Sequence, residues 1–210
     1  MTAPQRSPWR PSPWRRVADV AWAIVALAAF VAVYMLLVHT SPGQIVDDET
    51  MVRFSALTGH EHPTPGLLSR IQLPLLLAAG VILAIVCTAR RSWLLFLHAC
   101  VLVFGTTVLA IGLKNGLPRP AFGVGAPLNS FPSNTVAAFT ATALALAAVA
   151  APRYRRFVFR IGALVVIVVG VMVIALQWHR PSDVLGAILL AAAVAALTEA
   201  VLPVRELDPY

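Results

Sequence analysis

Charge is what this chain has least of. Only 12% of its 210 residues are Asp, Glu, Lys or Arg, and 59% are hydrophobic. A soluble domain carries about 25% charged residues. With a mean hydropathy of +0.82, the composition excludes a soluble globular domain and points to an integral membrane protein. Cysteine is scarcer still: Cys87 and Cys100 are the two present, and both fall in apolar runs. They read as inert packing residues, so no disulfide or cysteine metal framework can be built. No small-x-small cleavage site stands out after the first apolar run, which therefore reads as a span and not a signal peptide. Intramembrane charge pairs and broken-helix patterns are also missing, which argues against a small transporter. The formal net charge of +7 says nothing about nucleic acid; what matters is which loops carry it.

Six long apolar runs make up most of the chain: Val20–Val38, Ile71–Thr88, Trp93–Leu113, Val136–Ala151, Ile161–Trp178 and Val184–Leu202. A spanning helix takes about 17–25 such residues, so all six are expected to span, the fourth at the short end. Pro74 falls near the start of the second run, where a missing N–H is tolerated. Gly105, Gly112, Gly162 and Gly170 within the runs read as close helix packing. The expected fold is all-α: a six-transmembrane-helix bundle over residues 17–203, a basic disordered lead-in over 1–16, and a short tail over 204–210. Pro8, Pro11 and Pro13 are expected to keep the lead-in from forming a regular helix.

Basic residues orient the bundle. With the N-terminus in the cytoplasm, eleven of the sixteen fall on the inner side: Arg6, Arg10, Arg15, Arg16, Arg90, Arg91, Arg153, Arg155, Arg156, Arg160 and Arg205. This asymmetry places both termini in the cytoplasm of a plasma-membrane protein. It also puts the loops 39–70, 114–135 and 177–183 on one outer face.

Those outer loops hold the chemistry. In the first, Asp47, Asp48 and Glu49 read as a solvated loop or short interfacial helix. His60-x-His62 beside Glu61 lacks a third metal ligand at a useful spacing, so no metal is expected there. The third loop reads Trp178-His179-Arg180-Pro181-Ser182-Asp183. His179 and Asp183 are four apart and share a face on a helical turn, where the carboxylate can fix the imidazole tautomer. On that segment alone a wet interfacial loop anchored by Trp178 is an equal reading. The second loop tips the balance. It holds Lys114 and Arg119, then Ser133, Asn134 and Thr135 at the opening of the fourth span. Two cations, a hydroxyl and helix-opening N–H groups suit a phosphate. With His179 on the same face, the set becomes a phosphate cradle with a positioned nucleophile. His98, inside the third run, reads as a neutral histidine hydrogen-bonded between helices, and His39 as an interfacial residue.

These residues resemble the motifs of the type 2 phosphatidic acid phosphatases, the membrane branch of the superfamily that includes vanadium haloperoxidases. Family members have six spans and three motifs on one face: Lys, six residues, Arg-Pro; Pro-Ser-Gly-His; and Ser-Arg, five residues, His, three residues, Asp. The resemblance implies that Lys114 and Arg119 bind phosphate, that Ser133 helps hold it, that His179 is the nucleophile and Asp183 its orienting carboxylate. It implies no cofactor, and a lipid phosphate or polyprenyl diphosphate as substrate at the outer face. Three positions depart from the pattern. Lys114 and Arg119 have four residues between them, not six; Thr135 stands at the general-acid histidine; Met172 and Val173 stand at the Ser-Arg pair. The alternative expectation is a catalytically impaired relative that still binds a lipid phosphate or a membrane partner.

Overall fold

The computed structural model describes residues 13–59, 66–125 and 128–204. Among these the chain is all-helical: α1 (Pro13–Val33) running into a π-helical turn (Tyr34–Val38), α2 (Ser41–Leu57), α3 (Gly66–Ala89), α4 (Trp93–Gly116), α5 (Asn134–Val149), α6 (Pro152–Ala175) and α7 (Pro181–Val201). Among the described residues, five helices are long and apolar enough to cross a membrane: Pro13–Val38, Leu67–Ala89, Trp93–Gly116, Pro152–Ala175 and Pro181–Val201. Large apolar side chains such as Leu27, Ile82, Phe104 and Val168 stand exposed on their outer faces. In lipid that exposure carries no penalty, and a helix satisfies its own backbone there. The protein is an integral membrane protein.

The fourth apolar run differs from the other five. Its helix, α5, has 16 residues. At ~1.5 Å per residue it reaches about 24 Å, short of a hydrocarbon core of about 30 Å. It runs through the interior of the bundle, packed against α3, α4, α6 and α7. Its small side chains, among them Ala137, Ala141 and Ala145, are fully buried and allow that close approach.

Helix ends follow local chemistry. Ser92 caps α4 and Ser133 caps α5, each hydroxyl accepting an N–H of the first turn. Pro152 and Pro181 open α6 and α7, where the N–H they lack would have had no partner. Trp14, Arg15 and Arg16 lie in α1, the described part of which begins at Pro13, and not in a disordered lead-in. Residues 1–12 and 205–210 lie outside the described residues. Pro74 lies inside α3, because that helix begins at Gly66, earlier than the apolar run. There it deletes a bond to the Arg70 carbonyl. Of the four packing glycines, two meet neighbours: a Cβ at Gly162 would lie 2.8 Å from that of Ala143, and one at Gly170 would lie 3.0 Å from Val184. Gly105 and Gly112 face open space, so close packing is not their role.

One element goes beyond the six runs. Between α1 and α3 the chain forms α2, capped by Thr40, whose Oγ1 accepts from the Gly43 N–H at 3.1 Å. Gln44 fixes it: its Nε2 donates to the carbonyls of Val38 (2.8 Å) and Pro120 (2.9 Å). Tyr34 adds a second tie, its hydroxyl donating to the Pro118 carbonyl at 2.6 Å. These bonds hold α2 and the loop after α4 against the end of α1, at the end of the bundle where α7 begins.

Candidate functional site

The residues between α6 and α7 are organised by a helix cap. Asp183, in the first turn of α7, is fully buried. Its Oδ2 accepts from the Arg180 backbone N–H at 2.9 Å and pairs with His179 Nδ1 at 3.3 Å. A carboxylate only accepts, so Nδ1 carries the proton, and Nε2 keeps its lone pair. The pairing expected from the four-residue spacing is therefore present, though by a different route. His179 precedes α7, and the N-terminal cap turn, not a shared helix face, brings the two together. The Asp183 backbone carbonyl also accepts from the Ser133 N–H at 3.0 Å, which joins the start of α5 to the start of α7.

Arg119 enters from the loop after α4. Its side chain is 3% exposed, with Nη1 3.9 Å from Asp183 Oδ1 and Nη2 3.9 Å from Asp47 Oδ2. Neither distance makes a hydrogen bond. All three guanidinium nitrogens, Asp183 Oδ1 and the Asn134 side-chain oxygen are buried without a hydrogen-bond partner among the described residues. Ser130 approaches Asp183 as well, without meeting hydrogen-bond geometry. Burial lowers the Arg119 pKa, and Arg180 nearby lowers it further; Asp183, Asp47 and Asp48 oppose both. A guanidinium remains charged in such surroundings.

The helix α2 supplies what the sequence reading did not place here. Asp47 is 3% exposed, not solvated. Its two oxygens accept from the Ser182 N–H (2.8 Å) and hydroxyl (2.5 Å). Burial raises its pKa; the Ser182 bonds and Arg119 lower it, and Asp183 adds to the rise. Asp48 pairs with Arg180, Oδ1 to Nε at 3.0 Å. Gly125, at φ +58°, lies over this pair, where a Cβ would fall 2.6 Å from an Arg180 nitrogen. Glu49 alone of the three stays exposed, paired with Arg53 at 2.9 Å. A short acidic run in an otherwise apolar chain was the one available signal. Its burial could not be read from the run itself, since helix phase and docking partner decide which carboxylate turns inward. Arg180, too, is 4% exposed and belongs to the site.

The remaining expected residues are distributed as follows. Ser133 is fully buried, and its Oγ accepts from the Val136 N–H at 3.4 Å as the α5 cap. Thr135 donates to Gln72 Oε1 at 3.2 Å, linking α5 to α3. Lys114 sits in the last turn of α4, its backbone carbonyl accepting from Asn129 at 2.8 Å. Among the described residues its ammonium forms no hydrogen bond or ion pair, and nothing ties it to Arg119 or His179. His60, Glu61 and His62 lie outside the described residues, and among those described no cluster of three or more His, Cys, Asp or Glu could hold a metal. His98 is buried at the other end of the bundle, Nδ1–H donating to the Leu202 carbonyl at 2.9 Å. His39 is exposed beside Tyr34.

The site thus joins one histidine-carboxylate dyad, two arginines and two further carboxylates at one end of an all-helical membrane protein. Compared with protein-family models, curated proteins and solved structures, the chain matches none.

Proposed function

We propose that the protein is a membrane phosphohydrolase related to the type 2 phosphatidic acid phosphatases, acting on a lipid phosphate or polyprenyl diphosphate at the extracytoplasmic face of the plasma membrane. The observation that carries this reading is the buried Arg119 guanidinium with every donor unpaired, held between two carboxylates beside the His179–Asp183 dyad. Buried donors without acceptors are costly, about 1–3 kcal/mol each, and phosphoryl oxygens are the acceptors that an arginine fork fits best. In the reaction, His179 Nε2 attacks phosphorus and the bond to the leaving oxygen breaks. Water then attacks the phosphohistidine, releasing phosphate and restoring Nε2. Asp183 holds the tautomer and stabilises the imidazolium; Arg119 neutralises charge on the equatorial oxygens.

The leaving group decides the substrate class. Thr135 replaces a general acid and its hydroxyl is turned to Gln72. An alkoxide leaves a monoester as the conjugate base of an acid about as weak as water, whereas phosphate leaves a diphosphate as that of an acid with a pKa of about 6. General-acid help is worth about 10²–10⁴ in rate. Phosphate release from a polyprenyl diphosphate is therefore expected to exceed release from phosphatidic acid, measured side by side on protein purified in detergent. Thr135→His is expected to narrow the gap by raising the monoester rate. Equal rates, unchanged by that substitution, would show that a missing acid does not limit the site.

A binding-only relative is the second reading. The observation favouring it is the local charge: Arg119 and Arg180 face Asp47, Asp48 and Asp183, with Arg180 already engaged by Asp48. The absence of phosphate release from both substrates, together with vanadate binding, would establish it.

Six spans with both termini cytoplasmic complete the proposal, α5 being the short sixth. Arg15, Arg16, Arg90, Arg91, Arg153, Arg155, Arg156 and Arg160 lie at helix ends away from His179. In a background lacking Cys87 and Cys100, cysteines placed at Thr58 or Phe122 are expected to react with an impermeant maleimide from outside, and those at Ser92 or Tyr154 are not. The reverse pattern would overturn the outer location of the site.

A further inference from the structure

A second charged recess lies at the opposite end of the bundle. A cavity of about 390 Å³ opens among α4, α5, α6 and α7. Alanine and leucine side chains and Phe159 make most of its wall, while Arg155, Arg156 and Arg160 of α6, His98 of α4 and Glu199 of α7 supply its polar groups. The polar groups divide into two sets. His98 and Glu199 are buried and tied to the end of α7: His98 bonds the Leu202 carbonyl, and Glu199 Oε1 accepts from the Val204 N–H at 3.2 Å. Arg156 and Arg160, in contrast, are exposed, and neither forms an ion pair among the described residues. Four residues apart on one helix, they stand side by side.

Three guanidinium groups against one carboxylate leave the recess net positive. Its position is that of membrane headgroups, because α6 enters its apolar stretch directly after Arg160. An arginine fork matches a phosphate oxygen pair, and the apolar wall beneath it suits glycerol and acyl carbons, which a free phosphate does not offer. We propose that this recess binds the headgroup of an anionic phospholipid from the surrounding leaflet, its phosphodiester held by Arg156 and Arg160. This site is separate from the His179 end and does not depend on the protein being an enzyme.

Native mass spectrometry of the full-length protein in neutral detergent tests the assignment, titrating phosphatidylglycerol and phosphatidylcholine of identical chains. The wild type is expected to retain phosphatidylglycerol preferentially. Arg156→Ala/Arg160→Ala is expected to lose roughly 30-fold of that preference, since each arginine near an anionic lipid is worth about 1 kcal/mol. Arg156→Lys/Arg160→Lys, which keeps the charge but not the fork, is expected to fall between the wild type and the double alanine variant. His179→Ala is expected to bind like the wild type, and inorganic phosphate at the lipid's concentration to displace nothing. Equal retention of the two lipids by the wild type would overturn the proposal. So would an unchanged preference in the double alanine variant, loss of the preference in His179→Ala, or displacement by inorganic phosphate.

Discussion

His179→Ala is expected to abolish phosphate release from polyprenyl diphosphate, and Asp183→Asn to reduce it by about 10⁴-fold, the scale seen when an orienting carboxylate is replaced in a catalytic triad. The two substitutions act on one hydrogen bond, His179 Nδ1 to Asp183 Oδ2 at 3.3 Å. Removing the imidazole removes the nucleophile. An asparagine at 183 can present its N–H₂ to Nδ1, which turns the tautomer and puts the proton on Nε2, where the lone pair is needed. Asp183 has a second task, because its Oδ2 also caps the Arg180 N–H. Both bonds end on the same oxygen, so an asparagine that turns its N–H₂ to Nδ1 also gives up the Arg180 cap; a fall in stability is expected beside the fall in turnover, and circular dichroism and a melting curve separate the two effects. Vanadate, which mimics five-coordinate phosphorus, is expected to inhibit the wild type, while a chelator leaves it unaffected because fixed arginines carry the charge. Full turnover by His179→Ala would end the enzyme reading.

The second large effect is expected at Asp47, and its sign depends on the replacement. Asp47→Ala strips the Ser182 N–H and hydroxyl of their acceptor and Arg119 of one of its two facing carboxylates. Breaking a buried charged arrangement by deleting one partner costs about 3–5 kcal/mol, and a clear fall in melting temperature is the expected result. Asp47→Asn behaves differently. An amide keeps an oxygen for the Ser182 N–H and can donate to its hydroxyl, while removing a negative charge 3.9 Å from Arg119. It imitates the protonated carboxyl that burial favours at this position. Vanadate is therefore expected to bind Asp47→Asn at least about tenfold more tightly, ~1.4 kcal/mol, with stability nearly unchanged. Weaker vanadate binding would mean that Asp47 supports the anion site rather than restraining it.

The amino-acid order by itself determined the class of protein and the neighbourhood of the site. Apolar runs of spanning length can be placed only in lipid, and there the backbone must close its hydrogen bonds within each helix, so helix and membrane follow together. The position of His179, Asp183, Arg119 and Ser133 at helix ends was equally legible, since polar residues interrupt apolar runs where spans meet water. Their chemistry was legible as a hypothesis through motif resemblance, with Thr135 and the Met172-Val173 pair marking its departures.

What the order could not decide is how far each element is enclosed. The run that forms α5 looks like its neighbours in composition, yet its 16-residue helix runs through the interior of the bundle, because its alanines permit close approach on all sides. Hydropathy measures apolarity, which lipid and protein interior satisfy equally. Asp47, Asp48 and Glu49 are adjacent and alike in sequence. Docking of α2 through Gln44 buries Asp47 against Ser182, sets Asp48 on Arg180 and leaves Glu49 in solvent. Ion pairs between residues more than a hundred positions apart leave no local trace. Tertiary packing alone fixed the electrostatic balance around Arg119, on which the chemistry of the site depends.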